Sequence, residues 1–99
     1  MLREFAKETI TVSSAVKTLT AGTYAASGGW GSAQKALVQV LDAPIRFYLD
    51  GTDPTSTTGF GEFAGSSFEL EGEAEILGFR AIRAGGSDAK IIVRYLRKM

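Results

Sequence analysis

The run Ile45-Arg46-Phe47-Tyr48-Leu49 alternates apolar and polar residues and stops abruptly at Asp50-Gly51. In the full stretch, PIRFYLDGTDPTSTTG, a Thr/Ser-rich segment around Asp53-Pro54 follows at once. A period of two puts Ile45, Phe47 and Leu49 on one face and Arg46 and Tyr48 on the other, which is the geometry of a half-buried strand. The apolar set is the core face. Pro44 lacks an amide donor and suits the first residue of a strand or an edge position. Asp-Gly and Asp-Pro are turn signals, so the segment from 52 to 58 is a solvated loop and residues 50–59 form an outward-facing rim. A chain built this way must fold as short pieces of sheet.

The rest of the sequence follows suit. Thr9-Ile10-Thr11-Val12-Ser13 alternates with β-branched residues, and residues 16–20 continue in the same style after a bend at 13–15. Residues 36–41 form a strongly apolar strand, with Leu37, Gln39 and Leu41 on one face and Val38 and Val40 on the other. Residues 67–71 bury Phe68 and Leu70. Between these, residues 59–65 read as a weak strand that packs Phe60 and Phe63 against the sheet. Residues 72–75 read as a link, and residues 76–83 as a strand in which Gly78 marks a bulge or a close backbone approach. Residues 84–88 read as a hairpin turn into a last strand at 89–97. The small-residue stretch 21–34 is loop or irregular strand. Residues 1–8, with only Leu2 and Phe5 sharing a face, are a short N-terminal arm or a single helical turn. These readings predict an all-β fold: a small antiparallel β-sandwich or β-barrel, jelly-roll-like, over residues 9–99.

Composition narrows the chemistry. The 99 residues are one domain's worth of chain and contain no cysteine and no histidine. Disulfides, zinc-thiolate sites, cysteine nucleophiles and the usual imidazole base are thereby excluded. Eleven basic and eleven acidic residues balance to zero, unlike the basic excess of a nucleic-acid-binding module. No run approaches the ~20 apolar residues that span a bilayer. The charged first eight residues do not resemble a signal peptide, so the expected compartment is a cytoplasm.

Each candidate site also has a plainer reading. Trp30 lies among glycines, and with Tyr24 and Tyr48 it could form a stacking platform for sugar; the plainer reading makes Trp30 a lid over the core. Asp50 and Asp53 with the threonine hydroxyls could offer oxygen ligands to calcium, although turn formation accounts for both and the spacing is not an EF-hand. The acidic run Glu62, Glu69, Glu71, Glu73 and Glu75 precedes the basic run Arg80, Arg83, Lys90, Arg94, Arg97 and Lys98. These could be an acidic cluster that binds a cation, or two opposite patches that dock onto neighbouring subunits. The plainer reading makes them cross-strand pairs on a solvated face, each contributing at most about 1 kcal/mol. Glutamates alternating outward on strands lack the burial that tunes a hydrolytic pair. No enzymatic activity and no cofactor or metal is expected.

With these residues in view, the segments APIRFYLDGTDPTSTTG, FELEGEAEILGFRAIR and AKIIVRYLR resemble small virion proteins of tailed bacteriophages, over about the second two-thirds of the chain. The resemblance implies a structural β-sandwich that coats, cements or connects parts of a particle, made in the host cytoplasm and located in the virion. Its partners would be the major capsid protein or neighbouring subunits, including its own copies, and neither nucleic acid nor membrane. On this reading the contacts are expected at Leu2 and Phe5 of the arm, at Trp30 and Tyr48, and at Asp50 and Asp53 on the loop rim. A carbohydrate-binding module and a tail or head–tail adaptor protein are the alternatives.

Overall fold

The computed structural model describes residues 2–20 and 33–98. In chain order its elements are β1 (Leu2–Val12), β2 (Lys17–Thr18), β3 (Lys35–Leu41), β4 (Ile45–Tyr48), β5 (Phe60–Glu62) and β6 (Ser67–Glu71). A short helix α1 (Gly72–Gly78) follows, then β7 (Arg80–Arg83) and β8 (Ala89–Lys98). The strands form two four-stranded sheets, ordered β1-β8-β3-β6 and β2-β7-β4-β5. Every pairing is antiparallel. The fold is all-β, a sandwich of two sheets around one core.

Period-two alternation decides what fills that core. The first sheet contributes Ala36, Val38 and Val40 from β3 and Ile91, Val93 and Tyr95 from β8; the second contributes Ile45, Phe47 and Ala81. Burying a side chain of the Val, Ile or Phe kind stabilises the fold by about 1.5–3 kcal/mol. The expected core face of β4 is thus the observed one, with Leu49 packed partly against it. Phe47 on the second sheet stacks on Phe68 of the first, with ring centroids 4.6 Å apart and planes 6° off parallel. Phe79 leans against both, so three aromatic rings bridge the layers.

Four expectations are corrected. Residues 2–8 are not an arm but the first part of β1, which pairs with β8 from Leu2↔Lys98 to Val12↔Ala89. The alternation is broken there by adjacent apolar residues, Phe5-Ala6. A bulge between Glu4 and Ala6 absorbs the extra residue, and both side chains then pack against the core. Second, residues 72–78 are helix rather than link and strand. Glu73 and Glu75 lie in its positively polarised first turn, the Glu75 carboxylate accepts the Glu71 amide at 2.8 Å, and Ile76 is buried beneath it.

Third, residues 84–88 are not a hairpin turn. Both edges of β8 are occupied by β1 and β3, and those of β7 by β2 and β4, so the two strands lie in different sheets. The segment is a corner between layers, closed by Arg83 and Asp88 at 2.7 Å. The bends at 13–16 and 42–44 also switch sheets, and the three corners are tied together. The Arg83 amide donates to the Ser13 carbonyl (3.0 Å) and the Ala84 amide to the Pro44 carbonyl (3.1 Å). Fourth, Phe60 and Phe63 are not buried by the sheet: they are 63% and 79% exposed, although Phe60 does rest one flank on Phe47 and Tyr48.

Candidate interaction surface

Where β4 ends, the chain turns through residues 50–59 across the outer face of the second sheet. Asp50 opens the turn by accepting the Thr52 amide at 3.1 Å. The Thr52 hydroxyl and amide hold the Asp50 carboxyl below its ordinary range. The Gly51 amide donates to the carbonyl of Gly78 at 2.9 Å. Asp53 pairs with Arg80 at 2.5 Å, and Pro54 beside it is buried. Thr55 and Thr58 close a small turn of their own, with reciprocal backbone bonds of 3.0 and 3.2 Å and hydroxyls 2.7 Å apart.

The far end of the loop is pinned too. Arg46 Nη1 donates to the Gly59 carbonyl at 3.3 Å. Gly59, at φ +127°, lies so near the Phe47 backbone that a Cβ would sit 3.2 Å from the Phe47 oxygen. The expected outward rim is therefore exposed but strapped flat to the sheet. Asp50 and Asp53 have separate structural partners. Among the described residues, no three His, Cys, Asp or Glu side chains come together to hold a metal.

The remaining predicted contact residues scatter. Leu2 opens β1 opposite Lys98. Phe5 is half-buried, with its ring 4.2 Å from the guanidinium carbon of Arg97, a cation–π contact at the end of the core. Trp30 and Tyr24 lie outside the described residues. Tyr48 meets Phe60 edge-on, with centroids 5.9 Å apart and planes at 74°.

The surface that sequence reasoning misjudged is the one at β5. This three-residue strand is the outer strand of its sheet. Phe60 touches Phe47 and Tyr48 along one flank only. Phe63 starts the turn that carries the chain back to the first sheet, where Ser66 donates to the Phe63 carbonyl (3.1 Å) and Gly65 to that of Val40 (2.7 Å). The signal was available in the spacing. Residues three apart in an extended strand point to opposite faces, so one core cannot take both rings. The glycines at 59, 61 and 65 also leave no neighbouring side chains to cover them.

On the opposite layer, Leu37, Gln39, Ser67, Glu69, Ile92 and Arg94 line an open groove of about 510 Å³ on the outer face of the first sheet. At its side, Lys35 reaches Glu69 at 3.0 Å and Glu71 at 3.6 Å. The Glu69 contact raises the ammonium's pKa, and the same contact lowers that of Glu69. The basic and acidic runs do not meet as two blocks. Arg80 and Arg83 pair with aspartates, and Arg94 with Glu4 at 2.6 Å. No protein-family model matches the chain, and no curated protein or solved structure matches it either.

Proposed function

We propose that this chain is a non-enzymatic structural protein of a phage virion, of the capsid decoration (cement) kind, attached to the assembled particle through many modest contacts. The observation that carries this reading is the exposed pair Phe60, on the strand β5 that is outermost in its sheet among the described residues, and Phe63, in the turn just after it. Two phenyl rings left in water beside an open sheet edge are a surface for protein rather than for solvent. Docking them against a capsid subunit recovers about 1–2 kcal/mol each, part of the value of a fully buried Phe. That is little for one copy, but repetition over a particle makes it cumulative. The resemblance of residues 43–59, 68–83 and 89–97 to small virion proteins supports the same reading.

The test is co-sedimentation of the purified chain with capsids that lack it, followed by cryo-EM of the decorated particle. Saturable binding at hundreds of sites is expected, with loss of binding in Phe60→Ala/Phe63→Ala. A ring of about six or twelve copies would make it an adaptor instead. Glycan binding that disappears on Trp30→Ala, with capsids left bare, would overturn the structural role.

A further inference from the structure

We propose that the edge of β1 that carries no strand among the described residues is the pairing edge for a second copy of this chain, docked antiparallel about a two-fold axis at the Phe5 bulge. β1 is eleven residues long and, among the described residues, is the outermost strand of its sheet, with β8 on one side only. The bulge decides which side chains share a face. Glu4 lies across from Leu96 and Lys7 across from Arg94, so both belong to the outer face of the sheet. Arg3 lies across from Arg97 and Glu8 across from Val93, on the core-facing side. Without the extra residue, Glu4 and Lys7, three apart, would face opposite ways.

The consequence is a charge pattern that complements itself only in reverse. Reading along β1, Arg3 and Glu4 precede the bulge, and Lys7 and Glu8 follow it. An antiparallel copy centred between Phe5 and Ala6 sets Glu4 opposite Lys7 of the second copy and Arg3 opposite its Glu8. The two-fold repeats both, which gives four opposite-charge pairs on matching faces. An in-register parallel copy sets like charges opposite one another. A slip of two residues either way leaves all four without an opposite charge.

The side chains are available for this. Among the described residues, Arg3 and Lys7 are exposed and make no ion pair. Glu4 already holds Arg94 at 2.6 Å, so Lys7 of the second copy completes a row of alternating charge. Glu8 holds the Tyr95 hydroxyl and the Thr20 amide through Oε2, leaving Oε1 for Arg3 of the second copy. Bulges and lysines usually guard an edge strand against indiscriminate pairing; here the same devices admit one partner in one register.

This pairing deepens the assembly reading above and rests on it, but it is measured on the isolated chain, so its failure and that of capsid binding are distinguishable. Sedimentation equilibrium is expected to show a reversible dimer. Lys7→Glu, at an exposed residue with no ion pair among the described residues, should raise the dimer dissociation constant about tenfold or more while leaving the thermal unfolding of the protomer unchanged. The exchange Glu4→Lys/Lys7→Glu should restore the dimer. Because that exchange also disturbs Arg94, a second variant is used. Glu4→Cys/Lys7→Cys, in a chain with no other cysteine, should oxidise to a covalent dimer joined between positions 4 and 7. A chain that stays monomeric, or a dimer indifferent to Lys7→Glu that fails to crosslink, would overturn the proposal.

Discussion

Replacing Gly78 with alanine tests whether the junction between α1 and the β4 exit is set by contact between two backbones. A Cβ at position 78 would overlap the carbonyl oxygen of Leu49, and it would lie 2.8 Å from the Leu49 carbonyl carbon and 3.2 Å from the Asp50 Cα. All three are main-chain atoms, so no side chain can swing aside. Forcing a methyl group into filled space costs about 1–3 kcal/mol. The shift also endangers the bond from the Gly51 amide to the Gly78 carbonyl, worth about 0.5–1.5 kcal/mol. Alanine's better helix propensity offsets at most about 1 kcal/mol, and less at the last residue of a helix. The net loss is about 2–3 kcal/mol, a fall in melting temperature of about 10–20 °C for a domain of this size. Gly85→Ala is the control, since nothing lies within 4 Å of its added Cβ and the expected change is under about 1 kcal/mol. Both variants are compared by calorimetry. A Gly78→Ala melting temperature that matches the Gly85→Ala one would show that the helix end moves freely and would refute the close-approach reasoning.

Two further outcomes are expected. Tyr95→Phe removes the donor to the Glu8 carboxylate from a fully buried ring; urea unfolding should show a loss of about 1.5–3 kcal/mol, the range for bonds to charged groups. Lys35→Met should raise the Glu69 pKa towards its ordinary 4.5, because the bond to Lys35 is the main cause of its depression. The linkage has a definite sign: Glu69's contribution is present above that value and lost as the pH falls through the folded pKa, whereas Lys35's is present below 10.5 and lost as the pH rises through its raised folded pKa. NMR titration of the Glu69 side chain measures the first half directly.

How much of this was legible in the sequence depends on the range of the interaction that decides each element. The alternation in β3, β4 and β8 is local and identified the buried face of β4 without any partner strand. Gly78 was marked as either a bulge or a close approach, and the approach is the observed cause. The 84–88 segment misled because a Gly-Gly-Ser-Asp turn looks the same whether the flanking strands pair or part. Only the occupancy of both edges of β8 by distant strands decides it. The α1 helix was hidden because seven residues are too few to show a period, and tertiary burial of Ile76 holds it in place. The candidate contact residues were chosen by residue type, which does not distinguish an aspartate that caps a turn from one that meets a partner. Phe60 and Phe63 look like core residues in the sequence because apolar side chains face inward by default, and only the layout of the sheet shows that both rings have too little to cover them.

The corner at 42–44 carries one more consequence of switching sheets in so few residues. Asp42 has φ +73°, and the Ala43 amide donates to the Leu41 carbonyl at 2.9 Å. This is a three-residue γ-turn of the rare positive-φ form, which is strained for any residue with a Cβ. Asp tolerates it better than most, and the side chain is exposed. Asp42→Gly removes strain of about 1 kcal/mol but gains a comparable amount of unfolded-chain freedom, so its stability should stay within about 0.5 kcal/mol of the parent. Asp42→Val, β-branched at the same φ, should cost about 1–2 kcal/mol more, seen as a melting temperature lower by about 5–15 °C. If valine were as stable as glycine, the corner would be free to open. The turn would then be a consequence of local chain preference rather than of β3 and β4 being held in separate layers by the core residues on either side, Val40 and Ile45.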